Sequence, residues 1–559
     1  MTYDAHPWLR NYEDGVPHAI SYPPVPLHHT LEDSAVRFPD RPALVFLGAR
    51  ITYRQLNALA DRFASALQGL GVGKGDRVAL MLPNCPQFVI AFYGVLKAGA
   101  VVVATNPLYV EREVEHQLRD SEAKVMVTLT KFYPMVKNVR ARTSLEHVVV
   151  TNIKEQFPPI KRVLFTLLLE AKEGHRVPVE AGPDTHWFAD LMQRASGTPT
   201  PAELCPDDIA IYQYTGGTTG VPKGAMLTHF NLLANTIQTR KWFVQLVEGQ
   251  EVMLGVIPFF HVYGLTVAMS MGIYSGSTIV LLPRFDIKEV LKTIKGCRPT
   301  IFPGVPTMYV AINNHPDTGK YDLRSIKACI SGAAPLPVEV QRRFEALTGG
   351  RLSEGYGLTE AAPVTHCNPI YGLRKEGSIG IPFPDVEARI MDIETGQKEM
   401  PVGEIGELVV KAPQVMKEYR CYPEETAIAL RGGWLYTGDI ARMDEDGYFF
   451  VVDRKKDMIL AGGFNIYPRE IEEVLYEHPK VKEAVAVGIP DAYRGETLKV
   501  YIVLKDGQTV SQEEIISYCR EKLAKFKVPT AVEFRAELPK TLVGKVLRRV
   551  LREEEARAH

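Results

Sequence analysis

Eleven residues, Tyr214-Thr215-Gly216-Gly217-Thr218-Thr219-Gly220-Val221-Pro222-Lys223-Gly224, hold four glycines, three threonines and one lysine. Glycine carries no Cβ, so backbone N–H groups can turn inward around an anion. Threonine hydroxyls add donors, and lysine adds a point charge suited to phosphate. The chemistry such a loop can do is to grip the phosphates of a nucleotide. It is not a Walker loop, which needs G-x-x-x-x-G-K-[ST]; here Pro222 precedes Lys223 and Gly224 follows it. A Gly/Thr-rich loop alone also reads as an ordinary turn, so other residues must decide.

Five further clusters carry chemistry-bearing residues in unusual settings. Pro258-Phe259-Phe260-His261-Val262-Tyr263-Gly264 sets a histidine among aromatics, a setting equally suited to a core histidine. Ser331-Gly332-Ala333-Ala334-Pro335 is a small-residue turn after a strand. Glu354-Gly355-Tyr356-Gly357-Leu358-Thr359-Glu360 places two carboxylates around a Gly-Tyr-Gly turn. Gly433 through Asp439 ends on a carboxylate, and Pro539 through Lys545 puts a lysine after a glycine. Singly, Asp439 reads as a helix cap, Glu360 as a helix start and Lys545 as one cation of a basic tail.

The elements that must position these residues follow from periodicity. Thr52 to Leu70 is a helix with Leu56, Leu59, Ala60, Phe63, Ala64 and Leu67 on one face. Arg77–Met81 is a strand, 87–98 a helix and 100–104 a strand, a βαβ rhythm that recurs from Leu254 to Ile330. The fold class is α/β: a large N-terminal domain of parallel-rich sheets with flanking helices, a small β unit from Gly377 to Val410, and a small α+β C-terminal domain. We place the domains at 1–452 and 453–559, with the charge run Asp453-Arg454-Lys455-Lys456-Asp457 as an exposed hinge.

Bulk properties bound the rest. A chain of 559 residues needs roughly three or four structural units. A formal net charge of −1 gives no global pull toward nucleic acid. Seven scattered cysteines without C-x-x-C point to a reducing, cytoplasmic setting. Val252 to Pro283 contains no charged residue, but Pro258, His261, Gly264, Gly272 and Gly276 interrupt it, so strands, a loop and a helix are expected rather than a membrane span. In 154–176, Ile160, Val163, Leu164, Leu167 and Leu168 follow helical spacing beside Lys161, Arg162, Lys172 and Arg176. That face either packs on its own domain or makes reversible peripheral contact with a membrane. Between Arg520 and Arg549, nine Lys/Arg against three Glu suit either a solvated face or a lid that meets phosphates.

In this order and spacing, the clusters resemble the acyl-adenylate-forming superfamily of acyl-CoA synthetases, luciferases and peptide-synthetase adenylation domains. The resemblance covers nearly the whole chain. Trp8-Leu9, Asn106-Pro107-Leu108-Tyr109, the insert at 154–176 and Val543-Gly544-Lys545-Val546-Leu547-Arg548-Arg549 are similar to bacterial long-chain fatty acid–CoA ligases.

That resemblance implies a two-step reaction with ATP, Mg²⁺ and coenzyme A, and a fatty acid as substrate. Tyr214, Thr215, Gly216, Gly217, Thr218, Thr219, Gly220 and Lys223 would hold the β- and γ-phosphates. Glu360, with Thr215, would bind Mg²⁺, and Thr359 would contact the α-phosphate. Gly332, Ala333 and Ala334 would leave room for adenine, with Tyr356 stacked on it and Glu354, Gly355 and Gly357 also at the nucleotide. Asp439 would accept from the ribose hydroxyls, assisted by Arg454. Lys545 would reach the α-phosphate and substrate carboxylate in the first step, and His261 would sit beside that carboxylate. Gly462 and Gly463 would face the pantetheine of CoA after the C-terminal domain rotates. Relatives suggest a homodimer. Medium-chain and aryl-acid ligases of the same superfamily are the alternatives; a non-catalytic acyl- or nucleotide-binding protein would be expected to lose Lys545, Glu360 or Asp439, and all three are present.

Overall fold

The computed structural model describes residues 2–180, 182–215, 222–461, 464–491, 495–541, 544 and 546–558. Its frame is an eight-stranded sheet in the order Glu418–Tyr419, Lys223–Thr228, Ile209–Thr215, Val101–Ala104, Arg77–Met81, Val125–Leu129, His147–Thr151 and Thr185–Trp187. The strands from Ile209–Thr215 to Thr185–Trp187 run parallel. Helices cover them, as buried Val-rich strands require. The helix Tyr53–Gly69 starts where Thr52 and Gln55 form a capping box. It buries Leu56, Ala60, Phe63, Ala64 and Leu67. Its neighbour Pro86–Lys97 is buried on every side, which explains its apolar composition all round.

A second parallel-rich layer joins Val252–Gly255, Thr278–Leu281 and Pro42–Phe46, with Ala49–Thr52 antiparallel at its edge. Isolated bridges through Ile301 connect it to Ala328–Ser331 and Arg351–Gly357. The charge-free stretch folds as expected into strand, loop, helical turns over Gly264–Ser270 and Met271–Tyr274, and strand. Among the described residues, no helix is long and apolar enough to cross a membrane.

The small β unit is five-stranded: Glu387–Met391, Gly406–Lys411, Trp434–Met443 and Leu430–Arg431, with Phe449–Arg454 paired to Trp434–Met443. The C-terminal unit has its own sheet, built on the hairpin Val481–Asp491 and Gly495–Leu504, with Ile459–Ala461, Phe464–Ile466 and Ala531–Phe534. Its core of Ile471, Leu475, Val500, Ile502, Ile515 and Cys519 is separate from that of the large unit.

Three local expectations need correction. The Gly-Tyr-Gly segment is no turn; the strand Arg351–Gly357 runs through it, because it pairs with Ala328–Ser331 on one side and Val364–Cys367 on the other. The strand expected to end before Asp453 continues to Arg454, held by the Asp439↔Arg454 pairing. Asp453 is therefore not exposed. It is 4 % exposed, and its carboxylate accepts from the amides of Arg454 (2.7 Å) and Arg469 (2.8 Å). Burial raises its pKa to about 6.

The helix Pro159–Leu168 does not pack its apolar face on its own domain. Phe165 alone turns inward, its ring 5.2 Å from that of Phe157. Ile160 (76 % exposed), Val163, Leu164, Leu167 (72 %) and Leu168 face out.

Candidate active site

Tyr356, Asp439 and Arg454 meet at one corner, beside the strand that leads into Gly332 and Ala333. The strand Ala328–Ser331 delivers Gly332 and then Ala333, whose φ of +69° is left-handed, an uncommon conformation for a residue with a side chain. A Cβ on Gly332 would lie 3.3 Å from the ring of Tyr263, so the smallest residue keeps this turn close to the core. Tyr263 in turn donates to the carbonyl of Ile330 at 2.7 Å. The adjacent strand carries Glu354 opposite Ser331, and Gly355, Tyr356 and Gly357 beyond it. Tyr356 donates its hydroxyl to Asp439 Oδ2 at 2.5 Å. Arg454 Nε lies 3.4 Å from Asp439 Oδ1. Burial and the Asp439 charge hold the Tyr356 hydroxyl well above its usual pKa, so it remains a donor. Glu354 is 8 % exposed, and burial lifts it to about 7 against the opposing pull of Arg469 and the Leu336 amide.

The Gly/Thr-rich loop connects two antiparallel strands, Ile209–Thr215 and Lys223–Thr228, with Thr215 paired to Lys223. A strand-to-strand connection explains why the Walker spacing fails, since that template needs a helix after the loop. Gly216, Gly217, Thr218, Thr219 and Gly220 lie outside the described residues, as do Gly462, Gly463 and Lys545. At the loop's base, Tyr214 donates to Asp120 at 2.5 Å and packs against Gly224, where a Cβ would sit 3.2 Å from its ring. Tyr214 thus braces the loop from behind. Lys223 Nζ pairs with Glu425 Oε2 at 2.6 Å and lies over the rings of Tyr419 (5.8 Å) and Tyr422 (5.9 Å). Glu360, in the turn Thr359–Ala361, accepts the Tyr419 hydroxyl at 2.6 Å. A carboxylate and the Thr215 hydroxyl are hard oxygen donors, which fits Mg²⁺.

His261 is half-buried on the loop before Gly264, and its Nδ1 accepts from the Tyr263 amide at 3.2 Å. Gly264 is obligatory: a Cβ would meet Pro258 O at 2.3 Å. The loop is fixed by Asn84, which donates to Gly255 O and Ile257 O and accepts from the Phe259 amide. Gln213 adds a bond to Phe260 O at 2.7 Å.

Gly544, at φ +75°, lies against Thr307, where a Cβ would come within 2.9 Å. Thr307 lies in the first turn of the helix Pro306–Asn314, which follows Gly304, and Gly304 is bridged to Ser331. Gly544 therefore reaches the large unit near the Gly332 turn. Much of the C-terminal basic excess is paired at home: Lys522 with Glu477, Lys527 with Glu470, Lys540 with Glu483 and Arg548 with Glu472. A second cluster of ligand-type side chains, His28, His29 and Glu32, is distant from this chemistry in its partners; Lys97 Nζ already sits 2.9 Å from Glu32 Oε1.

Sequence reasoning missed Asn84, Tyr419, Glu425 and Arg469. None belongs to a local motif, and each acts on a residue far away along the chain.

The chain is 50% identical over 555 residues to a long-chain-fatty-acid–CoA ligase of Bacillus subtilis strain 168, covering 99% of both chains. It is 42% identical over 553 residues to a ligase of the same name from Escherichia coli O6:H1, covering 98% of both. The crystal structure of ATP-bound MatB from Rhodopseudomonas palustris superposes with a TM-score of 0.84 at 31% identity, over 95% of this chain and 99% of that one. Residues 31–420 match the family described as AMP-binding enzyme and residues 470–545 match its C-terminal domain, so the two units seen in the fold are the two parts of one family architecture, and the chain belongs to the AMP-binding enzymes.

Proposed function

We propose that this chain is an ATP-dependent fatty acid–CoA ligase that takes long acyl chains. The observation that carries the reading is the corner where Tyr356, Asp439 and Arg454 meet beside the strand that leads into the left-handed Ala333 turn, a setting for a nucleoside next to hard oxygen donors for its phosphates. Whole-length likeness to ligases named for long-chain fatty acids supports the substrate class.

In the first step a carboxylate oxygen attacks the α-phosphorus, the bond to the β-phosphate oxygen breaks, and pyrophosphate leaves. In the second, the thiol sulfur of CoA attacks the acyl carbon, AMP leaves, and the thiol proton passes to solvent. Asp439 and Arg454 hold the ribose, Tyr356 flanks adenine, and Gly332, Ala333 and Ala334 leave room for it beside Glu354, Gly355 and Gly357. Thr215 through Lys223 hold the leaving pyrophosphate, and Thr359 touches the α-phosphate. Glu360 and Thr215 would hold Mg²⁺, which would supply positive charge against the phosphates. Lys545 meets the charge that builds on the α-phosphate and the attacking carboxylate, and His261 orients that carboxylate. These groups act by positioning and charge stabilisation, with no covalent enzyme intermediate.

Lys545 must withdraw before CoA can approach, so residues 453–559 move as a unit relative to 1–452, bringing Gly462 and Gly463 to the pantetheine. All seven cysteines are free thiols, which supports a reducing cytoplasmic setting. The exposed face of Pro159–Leu168, flanked by Lys161, Arg162, Lys172 and Arg176, serves as a peripheral membrane contact through which a lipid-soluble substrate is reached. A second copy of the chain is the competing occupant of that face.

A panel of acids from acetate to oleate, with benzoate and coumarate, tests the reading by CoA-dependent AMP release. Turnover that rises with chain length is expected, since each buried CH₂ adds about 0.8 kcal/mol. Turnover of aryl acids alone would replace it with an aryl-acid ligase.

A further inference from the structure

The segment Met416 to Tyr419 grips Glu360 at two points. The Met416 amide donates to the Glu360 carbonyl at 2.7 Å, and the Tyr419 hydroxyl donates to Glu360 Oε1 at 2.6 Å. Tyr419 is itself fixed in place. Its strand pairs with Lys223–Thr228, in the register Tyr419↔Ala225, and its amide donates to Thr426 Oγ1 at 3.0 Å. The same ring lies under Lys223 Nζ, whose ammonium pairs with Glu425 on the helix Pro423–Ala429. One tyrosine thus touches both the carboxylate suited to a divalent cation and the lysine suited to a polyphosphate. No motif in the sequence links these four residues.

We infer that Tyr419 is a positioning residue that sets Glu360 for the cation through its hydroxyl and Lys223 for the polyphosphate through its ring, and that Glu425 is a resident counter-anion that Lys223 exchanges for the polyphosphate. The inference rests on the reading of Glu360 and Lys223 given above. The hydroxyl is suited to its part because it donates to Oε1 of Glu360 and so fixes the orientation of the carboxylate. The exchange is easy for Glu425. Its side chain is 45% exposed, and a half-exposed ion pair is weakly bound, whereas a polyphosphate offers several charges to the same ammonium.

The test measures binding rather than turnover. Mn²⁺ serves as the divalent probe, titrated by electron paramagnetic resonance in the presence of ATP; ATP alone is titrated calorimetrically in EDTA. Tyr419→Phe keeps the ring over Lys223 and removes only the hydroxyl. It should weaken Mn²⁺ binding about tenfold, the size of a lost charge-assisted hydrogen bond, and leave ATP binding in EDTA unchanged. Tyr419→Leu should weaken both. Glu425→Gln, on the surface, should tighten ATP binding in EDTA about threefold, as removal of a competing exposed charge predicts, with Mn²⁺ affinity unchanged. Mn²⁺ binding unaltered in Tyr419→Phe, or weakened ATP binding in Glu425→Gln, overturns the inference. Glu360→Gln separates it from the reading beneath it: if that variant binds Mn²⁺ like the wild type, Glu360 is no cation ligand, and the fault lies there rather than with Tyr419.

Discussion

Tyr356 and Asp439 stand 83 residues apart in the chain, yet the tyrosine hydroxyl is 2.5 Å from the aspartate Oδ2. The other oxygen of Asp439 faces Arg454. A ribose diol would need the same two oxygens, so the carboxylate is the irreplaceable member and the hydroxyl the exchangeable one. Asp439→Asn leaves Arg454 without its counter-charge and gives the ribose an amide in place of an acceptor pair. It should raise the KM for ATP about 100-fold, in line with the loss of charge-assisted hydrogen bonds. Tyr356→Phe keeps the ring and should change the same KM by less than about threefold. ATP–pyrophosphate exchange reads both, and equal damage by the two substitutions would refute the assignment of the nucleoside to this carboxylate.

Acid should destabilise the fold through buried neutral histidines. Burial lowers His366, His28 and His229 to about 3 and His175 to about 4. In the unfolded chain each titrates near 6.5. The folded values are depressed, so the unfolded state binds more protons between these limits. Their contribution is present above about 6.5 and is lost as pH falls through that window, by up to about 1.4 kcal/mol per pH unit per group. Glu354 and Asp453 act in the opposite sense. Burial raises them to about 7 and about 6, so the stability they contribute as neutral acids is present at low pH and is lost as pH rises through those values. Urea midpoints from pH 4 to 8 should rise with pH up to about 6.5. His366→Phe should flatten that rise, and Glu354→Gln should raise the midpoint at pH 8 while leaving it unchanged at pH 4. A midpoint that falls between pH 4 and 6 in the wild type would show that the carboxylates win.

What the sequence disclosed and what it hid divide along sequence separation. The helix after Thr52 was legible because cap, face and breaker lie within one short window, and the strand Arg77–Met81 because its apolar run is bounded by turn residues. The site motifs were legible because glycines at Gly332 and Gly264 stand where any side chain would collide. Asp453 misled, since a run of charges reads as solvent-exposed; the structure buries it by supplying the Arg469 amide from the helix Pro468–Tyr476 and Arg548 from much later in the chain. Tyr419 left no trace because its partner, Glu360, is 59 residues away and nothing local distinguishes it from other exposed-strand tyrosines.

The outward apolar face of Pro159–Leu168 should bind lipid rather than protein. Leu164→Glu combined with Leu167→Glu removes two large apolar side chains and adds two like charges where Lys161 and Arg162 would meet anionic headgroups. Each leucine contributes roughly 1.5–3 kcal/mol when buried, so co-sedimentation with phosphatidylglycerol vesicles should fall at least about tenfold. Wild-type binding should weaken with added salt and on phosphatidylcholine vesicles. Turnover of a soluble short-chain acid should be unchanged, because Leu164 and Leu167 face outward while Phe165 and Lys161 join the helix to the core. If the double substitution leaves vesicle binding intact but converts a dimer to a monomer, the face belongs to a second copy.

Arg548 follows Lys545 by three residues and ties that stretch to the joint between the two units. Its guanidinium donates to both oxygens of Glu472, at 2.7 and 2.8 Å, and lies 3.3 Å from Asp457 and 3.9 Å from Asp453. Three carboxylates around one buried cation would repel each other without it. Removing one partner from such a buried cluster costs about 3–5 kcal/mol, enough to loosen the C-terminal helix and the lysine before it. Arg548→Met should therefore slow acyl-AMP formation more than the transfer of acyl from pre-made acyl-AMP to CoA, because in the proposed reaction only the first step uses Lys545. Arg548→Lys restores the charge without the two-pronged geometry and should recover part of the first step. Lys545→Ala sets the limit: it should block the first half-reaction and spare the second. If Arg548→Met slows both half-reactions equally while Lys545→Ala separates them, the cluster stabilises the C-terminal unit as a whole and does not position Lys545.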